Sequence, residues 1–493
     1  MRRQSMFHSA LLLTIVNLLL RLVYTSFQVY LSGRIGAAGI GLLQLVLSVG
    51  ALAMTAGIAG VRTATMYLTA EELGKKRPGS ITWVLSGCVL YSIAFSLVIA
   101  GCLFGFAPVI AEKWVGDLRS ITALRLYAVF LPVYCLCGVM SGYFTAANRI
   151  GTLAAVEIAE QVLSMGVTMG VLALWAGHDP GKACCAVVLG SGAGAVLTLG
   201  CLVFLRFRQR TVAGQKIPVR QRLFQIALPL ALADDLKAGI STTENLMVPK
   251  RLALYRGTTD PLADFGMVCG MVFPILMFPA AILFGLNELL IPELARCNAA
   301  LSKRRIKYLV KRSLKVALLY GAIFCGLEFL LANSLCLKLY HNTLAGPYLQ
   351  LYALLIPMLY CDAVTDAMTK GLGQQTYCVR YNIFTSAMDV ALLFILLPRY
   401  GMMGYFFSFL VTHLINFALS LRRLLIISQI KIPWHIPLQA LCAMIVSVYL
   451  ANTIGNSILR CLGFLSILLS LLFLLGILGK EDIVWLKKLI AKK

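Results

Sequence analysis

The stretch ALADDLKAGISTTENLMVP (residues 231–249) places Asp234, Asp235, Lys237 and Glu244 inside a segment long enough to cross a membrane. A charge at the centre of a lipid-facing helix costs about 2.5–3.5 kcal/mol, so four such charges would cost roughly 10 kcal/mol. A Leu or Ile returns only about 0.5 kcal/mol, which rules out lipid exposure of this face. Asp234, Lys237 and Glu244 lie on one stripe of a helix. The stripe is therefore predicted to face water or a polar ligand.

The whole chain has the composition of a polytopic membrane protein. Of its 493 residues, 60% are hydrophobic and 13% charged, and the mean hydropathy is +0.85. So little polar surface cannot coat a soluble globule of this size. The apolar runs are continuous instead of alternating, which excludes a membrane β-barrel. Fourteen membrane-spanning helices are predicted, over residues 8–30, 38–69, 81–110, 122–147, 152–177, 182–206, 222–248, 264–292, 313–339, 346–370, 378–398, 402–428, 434–452 and 458–479.

The positions of the basic residues predict the orientation of the chain. If the first helix starts in the cytoplasm, most of the 44 Lys and Arg fall in cytoplasmic loops or at the termini. The positive-inside rule therefore predicts that both termini are cytoplasmic. Residues 206–222 and 302–315 are the densest basic stretches, and we interpret them as anchors on anionic headgroups, with no nucleic acid as partner. The basic amphipathic pattern of residues 480–493 predicts a tail that lies in the membrane interface, and a partner-binding tail is the alternative.

The first twelve spans are predicted to form two parallel repeats. Residues 55–71 align with 279–295, and 145–162 with 369–386, in hydropathy phase and turn positions. Because each repeat has six spans, both enter the membrane in the same sense and enclose a central cleft. The predicted all-α architecture comprises an N-lobe (1–210), a C-lobe (211–430), two added helices (431–479) and the tail (480–493).

Polar residues also recur along one face of other predicted spans. They are Asn17, Arg21, Tyr24 and Gln28 in the first, Arg62 in the second, Glu157 and Glu160 in the fifth, Asp362, Asp366 and Lys370 in the tenth, and Asn382, Ser386 and Asp389 in the eleventh. Some of the charged residues have a simpler interpretation. Lys237 can pair with Asp234 or Asp235 of its own helix, Arg62 can reach the headgroups, and Glu157 and Glu160 can be solvated. Arg21 lies near mid-membrane, where reaching the headgroups is difficult.

The two lobes differ in the sign of their charge. No Asp or Glu precedes Glu71, so the first two spans carry only positive charge. A cationic wall suits a phosphate or pyrophosphate, to which Arg offers a planar fork of donors. The acidic residues of the C-lobe suit a coupling proton or sodium ion, or a countercharge between lobes. The candidate coupling or gating carboxylates are Asp234, Asp235, Glu244, Asp362, Asp366 and Asp389.

The sequence resembles the multidrug/oligosaccharidyl-lipid/polysaccharide (MOP) exporter superfamily, and within it the stage V sporulation protein B branch. The resemblance covers essentially the full length. The matching stretches are RLVYTSFQVYLSGRIGAAGIGLLQLV (21–46), GIAGVRTATMYLTAEE (57–72), FQIALPLALADD (224–235), ENLMVPKRLALYRG (244–257), GMVFPILMFPAAILFGLNELLIPELA (270–295) and LPRYGMMGYFFSFLVTHLINFALSL (397–421).

This resemblance implies a flippase of the bacterial cytoplasmic membrane that moves an undecaprenyl-pyrophosphate-linked sugar by alternating access. The related MurJ-type lipid II flippases have fourteen helices and cavity arginines for the diphosphate. Arg21 matches one of these arginines, whereas the position of a second is Phe27 here. The substrate-binding residues implied or predicted are Arg21, Asn17, Tyr24, Gln28, Arg62 and Lys237.

Two other function classes are open to a chain of this kind. One is a drug/cation antiporter of the multidrug and toxic compound extrusion (MATE) branch, which normally has twelve helices. The other is a polyprenyl glycosyltransferase or ligase, which would need a large extramembrane catalytic loop that this chain lacks. We expect no enzyme activity, metal or organic cofactor. The expected partners of the monomer are a lipid-linked saccharide and membrane lipids.

Overall fold

The computed structural model describes residues 3–75, 78–177, 179–208, 219–430 and 435–479, and these contain helices but no strand. The predicted tail at 480–493 lies outside the described residues. The helices are α1 Arg3–Ile58, α2 Val61–Gly74, α3 Ile81–Val109, α4 Ile121–Ala146, α5 Ile150–Val171, α6 Pro180–Phe207, α7 Val219–Leu252, α8 Pro261–Met267, α9 Phe273–Leu276, α10 Ala280–Ala299, α11 Lys303–Tyr340, α12 Ala345–Ala353, α13 Ile356–Gly371, α14 Gln375–Tyr400, α15 Met402–Ser428, α16 His435–Ala451 and α17 Ser457–Leu474.

The all-helical membrane fold is confirmed, but the expected count of fourteen spans is not. Within the described ranges, nine helices are long and apolar enough to cross a membrane, or eleven if each of two bent pairs counts as one span. Every predicted interval nevertheless contains a helix. The difference has physical causes: α1 runs through two predicted spans, the charges of α7 lower its hydropathy, and α16 has only 17 residues.

The described residues divide into two compact units. The first unit comprises Tyr30–Gly270 and Leu393–Met402, and the second the described parts of Met1–Val29, Met271–Leu392 and Met403–Lys493. Helix α7 therefore packs in the same unit as α2 and α3. The predicted lobe boundary at residue 210 rests on the internal repeat, so it stays a prediction.

The break between α1 and α2 determines where α2 begins. Ala59 and Gly60 have φ angles of 43° and 70°, which end α1 and begin a new helix at Val61. Glycine adopts this left-handed conformation without steric cost. The hydroxyl of Tyr91 in α3 donates a hydrogen bond of 3.2 Å to the carbonyl oxygen of Ala59. The carbonyl oxygen of Ala59 thereby gains a hydrogen-bond partner at the break. Arg62 follows in the first turn of α2.

A buried apolar core joins α2, α3, α4 and α7 in the first unit. Small residues let the helices approach closely: a Cβ atom on Gly60 would lie against the carbonyl oxygen of Ala227. The buried members of this core include Val61, Ala64, Leu68, Ile81, Val84, Leu85, Tyr91, Val139, Phe144, Leu223, Ala227 and Ala231. The charged stripe of α7 thus lies on a helix whose other face packs in this apolar core.

Helix α11 is the centre of the second unit and packs against α10, α12, α13, α16 and α17. Between α9 and α10 the chain bends by 62°. The hydroxyl of Tyr360 donates to the carbonyl oxygen of Leu276 at 3.1 Å, and that of Tyr320 donates to the carbonyl oxygen of Pro279 at 2.8 Å. As at Ala59, tyrosines on neighbouring helices satisfy the backbone where a helix is interrupted.

We predict that Gly60→Ala lowers the stability of the protein. An Ala at a left-handed φ costs about 1–2 kcal/mol, and its Cβ atom would press on the backbone of α7. The matched control is Gly166→Ala in α5, where a Cβ atom meets open space and helix propensity gains up to about 1 kcal/mol. Thermal unfolding in detergent should show a lower transition temperature for Gly60→Ala alone. Equal transitions for both variants would contradict the close approach of α2 and α7.

Candidate functional site

A polar pocket of about 170 Å³ lies within the second unit, between α10, α13, α14 and α15. Asp362 and Asp366 line it from successive turns of α13, and Asn382, His413 and Asn416 line it from α14 and α15. Its apolar lining is Met277, Ala280, Leu283, Phe284, Leu359, Tyr360 and Ala363. The structure therefore brings together three residues that the polar stripes predicted, Asp362, Asp366 and Asn382.

The two carboxyl groups of the pocket have different partners. The side-chain amide of Asn416 donates to both oxygens of Asp362, at 3.4 and 3.1 Å. The ammonium group of Lys370 lies 2.6 Å from Asp366 Oδ2, one turn along the same helix. Asp366 thus has a countercharge in direct contact, whereas the hydrogen-bond partner of Asp362 is a neutral amide. Chemically, the pocket is suited to exchanging a proton or holding a small cation.

Asp389 belongs to a buried polar cluster that links α14 to α15. Its side chain is 8% exposed, and it accepts hydrogen bonds from Ser408 Oγ at 2.6 Å and Thr412 Oγ1 at 3.3 Å. These bonds offset the cost of burying a carboxyl group. Asp389 therefore holds two helices together, and its role in coupling or gating stays a prediction.

The first unit exposes charged side chains on α2 and α7. Arg62, Asp234 and Lys237 are exposed, and Asp235 is half-buried. Arg62 interacts electrostatically with Glu157 of α5, and Asp235 with Tyr91 of α3. The part of the predicted α7 stripe that carries Asp234 and Lys237 is therefore exposed.

The second half of the α7 stripe is tied to α1 inside the first unit. Thr242 Oγ1 donates to the carbonyl oxygen of Ser48 at 3.1 Å, and the side-chain amide of Asn245 donates to Ser48 Oγ at 2.9 Å. Glu244 lies between these two residues and is half-buried. This part of α7 is a helix contact as well as a polar surface.

The polar residues predicted to form a stripe on α1 differ in how far their side chains are exposed. Arg21 is half-buried, Tyr24 is 40% exposed and Gln28 is 3% exposed. Gln28 Nε2 has no hydrogen-bond partner among the described residues. The side chain of Asn17 lies outside the described residues. Arg21 and Tyr24 can therefore meet a ligand directly, whereas Gln28 is shielded.

Sequence reasoning missed Asn416, His413 and Glu328. Asn416 and His413 join the pocket through the packing of α15 against α13, which no pattern within one helix reveals. Glu328 is the single acid in the apolar run GLEFLLAN (326–333). An ionisable residue inside a membrane span is a candidate functional residue by default, and this signal was available in the sequence.

Comparison with known proteins confirms the resemblance. No family model matches the chain. Stage V sporulation protein B of Bacillus subtilis (strain 168) is 21% identical over 417 residues, 82% of this chain and 80% of that protein. The lipid II flippase MurJ in an inward closed conformation shares the fold with a TM-score of 0.70 at 12% identity, over 94% of this chain and 98% of that one. The structure of an inward-facing MATE transporter of the MOP superfamily has a TM-score of 0.65 at 14% identity, over 85% of this chain and 100% of that one.

We predict that Ser408→Ala destabilises the protein by about 1–3 kcal/mol, because a buried acceptor loses its shortest hydrogen bond. Ser466→Ala is the control, since Ser466 is exposed and bonds only to the carbonyl oxygen of Leu462 in its own helix. Chemical unfolding of both purified variants measures the difference. If Ser408→Ala is as stable as Ser466→Ala, the cluster around Asp389 does not hold α14 and α15 together.

Proposed function

We propose that this chain is a flippase that moves an undecaprenyl-pyrophosphate-linked oligosaccharide or peptidoglycan-type precursor across the bacterial cytoplasmic membrane by alternating access. The observation that carries the proposal is the similarity to stage V sporulation protein B over most of both chains. The fold shared with MurJ supports it, because that match extends over more of this chain than the match to the MATE transporter. No covalent bond is made or broken in such a movement.

The physical task is to carry a polar head group through a layer that offers no hydrogen-bond partners. Each sugar hydroxyl or phosphate oxygen left unpaired in hydrocarbon costs several kcal/mol. A flippase supplies a polar surface for the head group while the polyprenyl tail stays in the lipid. The exposed charges of α2 and α7 provide such a surface on the first unit, since Arg62, Asp234 and Lys237 are costly against acyl chains.

Cationic side chains are proposed to bind the pyrophosphate. Arg21 is the first candidate, because it is half-buried in the long apolar helix α1 and offers two parallel donors to a phosphate. Arg62 and Lys237 are exposed and offer further positive charge. Tyr24 is exposed one turn from Arg21 and can donate to a phosphate or sugar oxygen.

Carboxyl groups are proposed to couple transport to an ion gradient. Asp362 is the first candidate, because it lines a pocket and its hydrogen-bond partner is a neutral amide. Asp366, Asp234, Asp235, Glu244 and Asp389 are the other candidates for coupling or gating. A proton or a sodium ion at Asp362 would change the charge of the pocket and thereby favour one conformation of the protein.

A MATE-type drug/cation antiporter is the second candidate. The shared fold and the two carboxyl groups of the pocket favour it, because an organic cation would be attracted to Asp362 and Asp366. Against it stands the cationic first segment, which carries Arg21 and has no acid before Glu71. Uptake of an organic cation into proteoliposomes, with no movement of a lipid-linked sugar, would favour the antiporter.

The setting of the protein is part of the proposal. We place both termini in the cytoplasm, on the distribution of Lys and Arg. The protein is proposed to act as a monomer, with the lipid-linked saccharide and the surrounding lipids as its partners and no nucleic acid. Sodium ions or protons are the only cofactors proposed.

We predict that Arg21→Ala weakens binding of undecaprenyl pyrophosphate by about 10- to 100-fold, because the phosphate loses its charge-assisted hydrogen bonds to the guanidinium group. Native mass spectrometry of the full chain with added lipid measures the affinity. The same variant should fail to complement a strain depleted of its lipid-linked saccharide flippase, at normal membrane levels.

The matched control is Arg208→Ala, which removes an exposed arginine at the end of α6. It should bind and complement like the unmodified chain. Wild-type affinity and full complementation by Arg21→Ala would remove Arg21 from the site.

We predict that Asp362→Asn abolishes the dependence of transport on a proton or sodium gradient, because an amide cannot take up a proton or balance a cation at that position. Proteoliposomes with an imposed gradient and a reconstituted lipid-linked sugar measure the rate. Glu293→Gln is the control, since Glu293 pairs with Arg305 and Arg296 outside the pocket. Transport by the unmodified chain that ignores both gradients would contradict ion coupling through Asp362.

A further inference from the structure

A second cavity of the second unit lies between residues 22–29 of α1, the turn from α9 to α10, and α11. Its volume is about 490 Å³. Most of its walls are aliphatic or aromatic, with Leu22, Phe278, Phe324 and Leu331 among them. Among the described residues, the polar side chains that line it are Thr25 and Ser26 from α1 and Glu328 from α11. The cavity is separate from the pocket around Asp362.

Glu328 is a buried acid with no hydrogen-bond partner among the described residues. Its side chain is 5% exposed, and neither Oε1 nor Oε2 has a hydrogen-bond partner among the described residues. By contrast, Asp362 accepts from Asn416, and Asp389 accepts from Ser408. An ionised carboxylate buried without a partner is far more costly than the neutral acid.

Within the described part of the chain, the groups that interact with Glu328 carry no positive charge. Tyr320 and Cys325 on α11 and Tyr360 on α13 interact with it electrostatically, and all three are uncharged at neutral pH. The hydroxyl protons of Tyr320 and Tyr360 are already donated to backbone carbonyls at the α9 to α10 bend. From the described side chains of α1, the polar groups that reach the cavity are the hydroxyls of Thr25 and Ser26.

We propose that Glu328 is a proton-binding site, neutral while the apolar walls enclose it and ionised when water enters the cavity. The step transfers one proton from the carboxyl group to water and changes no other bond. Sodium fits less well, because a carboxyl group and two hydroxyls offer few oxygen ligands for a hard cation. The protonation state of Glu328 is thereby linked to the hydration of the cavity between α1 and α11, whatever cargo the protein moves.

Infrared difference spectroscopy of the full chain in lipid bilayers tests this site without any cargo. The spectrum of Glu328→Gln is subtracted from that of the unmodified protein at neutral and at alkaline pH. We expect the C=O stretch of one protonated carboxyl group at neutral pH, replaced by carboxylate bands at alkaline pH. Glu112→Gln, which removes an exposed carboxyl group, should give carboxylate bands at both pH values.

Carboxylate bands in the Glu328→Gln difference at neutral pH would overturn the proposal. Carboxylate bands that depend on added sodium would also overturn it, in favour of a sodium site. If the amide variant is not monodisperse, Glu328→Leu gives the same subtraction with a side chain that suits the apolar walls. None of these outcomes depends on the flippase function, so failure of the proton site and failure of the proposed function are distinguishable.

Discussion

The structure depends on one constraint, that hydrocarbon offers no partner to a charge or to an unpaired backbone group. Where apolar helices are interrupted, a tyrosine from a neighbouring helix donates to a backbone carbonyl, as Tyr91 does to Ala59 and Tyr320 to Pro279. Where a carboxyl group is buried between helices, an amide or hydroxyl donates to it, as Ser408 does to Asp389. Departures from this rule are therefore informative.

Two kinds of departure indicate function. On α2 and α7 the charges of Arg62, Asp234 and Lys237 are exposed, which a membrane tolerates only where water or a polar ligand replaces lipid. In α11 the carboxyl group of Glu328 is buried with no hydrogen-bond partner in the described part of the chain, which favours its neutral form. The first departure fits the transport of an anionic, polar head group. The second fits a group that exchanges a proton as its surroundings change.

The sequence predicted the class of fold and the charged face of α7, because hydropathy and helical periodicity are local properties. It also predicted Asp362 and Asp366 as neighbours on one face, since they lie one turn apart. It did not predict that Asn416 completes their pocket, which depends on how α15 packs against α13. Nor did it predict the number of spans, because α1 runs through two predicted spans and α16 is only 17 residues long.

The claim on which this account rests is that the charged face of the first unit contacts water within the membrane. Spin labels introduced as unnatural amino acids at positions 62, 234 and 237 would test it, since the chain has 15 native cysteines. Collision rates with a water-soluble nickel complex and with oxygen in proteoliposomes would then distinguish water from lipid. The account predicts that all three labels collide preferentially with the nickel complex. Preferential collision with oxygen, the signature of acyl chains, would contradict it.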